Sequence, residues 1–79
     1  MHNQEKLNHA FTTALQIPVE DITDELKYNT IPEWDSTAHM ILIAELEDTF
    51  DVMLDTDDII DMSSVGKSKL ILQKYGVTF

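Results

Sequence analysis

Asp35-Ser36 stands at the head of an apolar-periodic stretch, with Trp34 just before it and His39 three residues after the serine. Two kinds of chemistry are open to such a group. A serine at the start of a helix usually caps it, its oxygen accepting from a backbone N–H of the first turn. Asp35 can do that work here. The Ser36 hydroxyl then stands free at the positive end of the helix dipole, among N–H groups that suit a phosphate esterified there. Ser36 and His39 also share a helix face at i, i+3, which admits a nucleophile–base pair. No acid lies at a spacing that would orient His39 and no oxyanion site can be inferred, so no catalysis is expected of the pair. His39 is expected instead at a pocket mouth, hydrogen-bonded to the loop before it, with Trp34 anchoring that loop over the core.

The elements that must hold these residues are helical. Leu7, Ala10, Phe11, Ala14 and Leu15 draw one apolar stripe, which predicts a first helix over 4–16 with Asn3 as its cap and Pro18 stopping it. From 17 to 35 no helical period persists. Ile17, Val19, Ile22, Leu26, Tyr28, Ile31 and Trp34 punctuate this stretch, so a long loop pinned across the bundle is expected. The second helix should run from Ser36 to Phe50. Advancing 100° per residue gathers His39, Leu42, Ile43, Leu46 and Phe50 on the core side and sends Thr37, Ile41, Ala44, Glu45 and Asp48 outward. Ile41 beside Ala44, ringed by acids, reads as the centre of a docking patch. Thr56 is expected to cap a short third helix with Ile59, Ile60 and Met62 on its apolar side. Ser63 or Ser64 opens the last helix, where Val65, Lys69 and Leu72 repeat with Leu70 and Ile71 in support. Gly66 weakens that helix by about 1 kcal/mol relative to alanine, and Gly76 is placed for a left-handed end. Met40, Met53 and Met62 are expected as flexible core filler. The fold class is all-α: one bundle of three main helices and a short one, in a single domain over residues 1–79.

Composition narrows the function. The 79 residues contain no cysteine, which excludes a disulfide scaffold, a thiolate metal site and a cysteine nucleophile. No apolar run approaches the roughly 20 residues of a spanning helix, and the first residues lack the features of a secretory signal. A cytoplasmic monomer away from membranes is expected. All ten acids between Tyr28 and Gly66 lack a basic neighbour within that stretch, while the five remaining acids balance the five lysines elsewhere. That stretch carries the whole net charge of −10. It repels nucleic acid and anionic membrane and attracts basic protein surfaces or divalent cations. The run from Asp51 to Asp61 does not match a calcium loop. Counted from Asp55, Ile59 and Ile60 fall where an oxygen ligand and a glycine are needed.

Taken together, Trp34-Asp35-Ser36, His39-Met40, Leu42-Ile43, Leu46-Glu47 and Phe50-Asp51 resemble the acyl carrier protein family. The likeness extends to the first helix, the pinned loop, the acidic short helix after Asp55 and Ser64-Val65 at the last helix. It implies a 4′-phosphopantetheine arm on Ser36, placed by a phosphopantetheinyl transferase from coenzyme A with magnesium. The thiol of the arm would hold acyl or aminoacyl intermediates of a biosynthetic pathway as thioesters, and the carrier itself would not be an enzyme. Partners would be a loading ligase and downstream transferases with basic docking surfaces. The positions matching that docking role are Asp35, Thr37, Ile41, Ala44, Glu47 and Asp48, and Trp34, His39, Met40 and Met62 are expected at the arm or pocket mouth. Fatty-acid carriers commonly have Leu after the serine and acids at the second and fifth positions beyond it. Thr37, Ala38 and Ile41 stand there in this chain, which is more similar to carriers of specialised pathways. The rival expectation is an acidic helical adaptor that binds a basic protein and bears no prosthetic group.

Overall fold

Leu7, Ala10, Phe11, Ala14 and Leu15, the apolar stripe of the sequence, are buried along one side of helix α1 (Asn3–Leu15). The computed structural model describes residues 2–79. His2, not Asn3, occupies the cap position of α1. Asn3 is drawn off because its amide donates to the Thr78 carbonyl at 2.9 Å, joining the two ends of the chain. Gln16 closes α1 in the left-handed region (φ 56°), two residues ahead of Pro18.

α2 (Ser36–Phe50) is capped by Asp35, whose Oδ1 accepts from the Ala38 N–H at 2.9 Å. Ala38, Leu42, Ile43 and Leu46 are buried, and His39 and Phe50 are half-buried. The helix ends on Asp51 in the left-handed region, with the Val52 N–H returning to the Glu47 carbonyl. The chain then alternates sides, so Leu54 turns inward and Met53 is 85% exposed. Met53 is therefore not core filler. Met40 is not either, for it lies off the core stripe at 60% exposure; Met62 is buried.

α3 (Thr56–Asp61) begins one residue away from its expected cap: Asp55 holds that position and Thr56 is the first helical residue. Ile60 is exposed while Asp58 is turned inward, because Lys74 of the following helix and Tyr75 just beyond it bond both of its carboxylate oxygens. α4 (Val65–Lys74) is capped by Ser64, which accepts from the Lys67 N–H at 3.0 Å. Its buried face is Val65, Ser68, Ile71 and Leu72, so Leu70, on roughly the opposite side at 100° per residue, is exposed. The Ser68 hydroxyl is satisfied locally by the Val65 carbonyl. Beyond α4, Gly76 takes φ 92° and lets the N–H groups of Gly76 and Val77 return to Gln73 and Leu72, closing the helix end.

α1 and α2 form the closest helix pair, and one apolar cluster joins them to Trp34, Leu54, Met62, Val65, Ile71 and Leu72. The long loop is fastened rather than slack. A 3-10 turn at Val19–Asp21 starts it, leaving Val19 exposed, while Ile17 and Trp34 are buried and Ile22, Leu26, Tyr28 and Ile31 pack against the core. Backbone bonds from Tyr28 to Ser63, Val65 to Leu26 and Gly66 to Asp24 hold it to the start of α4. A side chain on Gly66 would place its Cβ 3.2 Å from the Asp24 carbonyl oxygen, so the glycine that weakens α4 is what lets the loop approach. The small all-α fold expected from the sequence is the fold found.

Candidate functional site

Ser36 is exposed at the first position of α2. Because Asp35 supplies the capping oxygen, the Ser36 hydroxyl is not used for that purpose. It lies 3.0 Å from the Tyr28 hydroxyl, in a hydrogen bond that joins the loop to the helix end. Beside it opens a largely apolar cavity of about 350 Å³, lined by Tyr28, Ser36, His39, Met40, Ile59, Ile60, Met62 and Ser63. His39, Met40 and Met62 thus line one cavity with Ser36. Trp34 does not line the cavity. It is fully buried behind His39, edge-on to Phe11 at 5.4 Å and to Tyr28 at 6.1 Å.

Both ring nitrogens of His39 are engaged. The Trp34 indole N–H donates to Nδ1 at 3.0 Å, and Nε2 lies 2.9 Å from the Ile59 carbonyl oxygen. An indole nitrogen can only donate, so Nδ1 is the acceptor and Nε2 carries the proton given to Ile59. The expected bond from His39 to the loop is present. The bond onward to α3 is an addition that no sequence spacing signals. The i, i+3 relation with Ser36 does not become a hydrogen-bonded pair, since Ser36 bonds to Tyr28 and His39 to Trp34 and Ile59.

α3 is held from its other side as well. Asp58 Oδ1 accepts from Lys74 Nζ at 2.5 Å and Oδ2 from the Tyr75 hydroxyl at 2.6 Å, and that hydroxyl accepts from the Asp55 N–H. The Lys74 ammonium, then the Tyr75 hydroxyl, hold the Asp58 carboxyl below the usual carboxylate range. The same contacts raise Lys74 and Tyr75 above their ordinary values, in each case chiefly through the bond to Asp58.

The opposite flank of α2 presents Thr37, Ile41, Ala44 and Asp48, all exposed as their spacing predicts, with Ile41 at 48%. Glu45, also expected outward, is half-buried. A shallow groove of about 340 Å³ runs beside this flank, between Leu15 and Gln16 at the end of α1, Pro32 and Glu33 of the loop, and Thr37 and Ile41. Asp35 borders the groove, though one of its oxygens serves as the cap. Glu47 is turned to another task, its Oε2 accepting from the Leu54 N–H at 2.9 Å to fix the turn after α2. Ala38 is buried, so its small size is set by packing against the core. Among the described residues the ion pairs involve Asp24, Asp58 and Asp61 with Lys69, Lys74 and Lys67, and none involves an acid of α2.

Among the described residues no group of three His, Cys, Asp or Glu side chains is placed to hold a metal ion, and no helix is long and apolar enough to cross a membrane. No protein-family model, curated protein or solved structure matches the chain. Tyr28, Ile59, Ile60 and Ser63 are the cavity residues that sequence reasoning missed. Tyr28 was visible only as an apolar pin of the loop, and nothing in its spacing from Ser36 announces a shared hydrogen bond.

Proposed function

We propose that this protein is a carrier of the acyl carrier kind, bearing a 4′-phosphopantetheine arm on Ser36 and presenting acyl or aminoacyl thioesters to the enzymes of a biosynthetic pathway. The observation that carries this reading is the division of labour at the head of α2. Asp35 caps the helix, and the neighbouring Ser36 hydroxyl is left exposed beside a mostly apolar cavity. A phosphodiester there has room, faces the positive end of the helix dipole and meets the Tyr28 hydroxyl as a donor. Thr37, Ile41, Ala44 and Asp48 form the surface offered to a transferase or loading ligase, with the uncompensated acids of α2 drawing in basic partners.

Incubation with a broad-specificity phosphopantetheinyl transferase, coenzyme A and magnesium tests it. One stoichiometric mass addition that disappears in Ser36→Ala is the expected result. Modification that survives in Ser36→Ala overturns the site. No addition at all leaves the acidic adaptor, which Ile41 and the charge of α2 suit equally, as the better reading.

A further inference from the structure

The cavity beside Ser36 is a surface feature. Of its lining residues only Met62 belongs to the buried core; Ser36, Met40, Ile60 and Ser63 are exposed and Tyr28, His39 and Ile59 half-buried. A chain of two hydrogen bonds runs through His39 at its wall. The Trp34 indole donates to His39, and His39 reaches across to the Ile59 carbonyl, so that loop, α2 and α3 are joined at one imidazole. The ring lies nearly parallel to the indole at a centroid distance of 6.1 Å, with the Tyr28 ring edge-on at 5.1 Å on the outer side. Opening this contact would strand the indole N–H of a fully buried tryptophan, a group that can only donate and that is costly to leave unpaired. α3 is also tied through Asp58 to Lys74 of α4 and to Tyr75 just after it.

We infer that the Trp34–His39–Ile59 connection bars the passage between α2 and α3, so that the cargo carried at Ser36 is a short acyl or aminoacyl group kept at the surface, and not a long aliphatic chain drawn into the bundle. This rests on the carrier reading and adds the class of cargo to it. His39 then acts as a specificity-determining residue through the path it closes. A cavity of about 350 Å³ lies at the lower end of the range for small-molecule sites, which suits the arm and a compact head group.

Loading the wild-type protein from acetyl-, octanoyl- and dodecanoyl-coenzyme A with the same transferase and magnesium separates the outcomes. With the passage barred, the three loaded forms melt within about 2 °C of one another, because no added methylene leaves water. The methyl resonances of Leu42 and Leu46 stay where they are in the acetyl form. In His39→Ala the octanoyl form should melt above the acetyl form and those resonances should move. A wild-type octanoyl form that melts more than about 5 °C above the acetyl form, with shifted core methyls, overturns the inference and leaves the carrier reading standing. Absence of any mass gain on Ser36 overturns both. If His39→Ala does not fold, the wild-type series still decides.

Discussion

The two flanks of α2 differ in how they are bound to the rest of the molecule. On the flank facing α3, His39 is bonded to a buried tryptophan and to a backbone carbonyl, and α3 is tied a second time through Asp58. On the other flank Thr37, Ile41, Ala44 and Asp48 are exposed, Thr37 and Ile41 beside a shallow groove. One helix thus has a side committed to the fold and a side free to be read by another protein. Ser36 sits where they meet. The lesson is that an acidic, half-apolar helix need not be uniformly available: its charges and apolar groups count for recognition only where the chain has not already used them, as it has used Glu47 for the turn at Leu54.

Breaking the committed flank should have the largest effect. Trp34→Ala removes a fully buried indole and the donor to His39, and is expected to cost about 3–5 kcal/mol. That is comparable with the whole net stability of a chain this short, so urea titration should find the variant largely unfolded. A native-like midpoint would show that the loop is not anchored through this residue. At the head of α2 the effects should divide. Asp35→Ala loses the cap and should lower stability by about 0.5–2 kcal/mol, whereas Ser36→Ala should stay within about 0.5 kcal/mol of wild type. Equal losses in the two would mean that Ser36 shares the capping work.

The second tie of α3 should show itself in pH dependence. Asp58 has its carboxyl lowered by Lys74 and Tyr75, so its contribution is complete above the ordinary carboxylate range and is lost as pH falls through the folded value. Lys74 and Tyr75 are raised, so theirs is complete below their ordinary ranges and is lost as pH rises through the folded values. Asp58→Asn should therefore melt lower than wild type at neutral pH and approach it at both extremes. A constant gap across the whole pH range would count against the charged contact. The smallest stability effect belongs to the free flank. Ile41→Ser should leave the stability within about 0.5 kcal/mol of wild type while raising KM for the transferase proposed to modify Ser36. A clear drop in melting temperature would place Ile41 among the supporting residues and remove the contrast between the flanks.

The sequence by itself determined the helices, their order, the buried stripe of α1, the capping role of Asp35 and the outward face of α2, because each follows from residues within one or two helical turns of one another. It also placed His39 against the loop and Trp34 over the core. The orientation of the short α3, the exposure of Met40, Met53 and Leu70, the use of Glu47 as a turn support and the bonds from Tyr28 to Ser36 and from His39 to Ile59 were decided only by the tertiary structure. In a helix as short as α3, local periodicity says little about which side faces inward. A pair of long-range bonds to Asp58 was enough to choose the side. The hydroxyl at the head of α2 was legible from local rules, while the wall of the cavity beside it required groups far apart in the chain to be folded against one another.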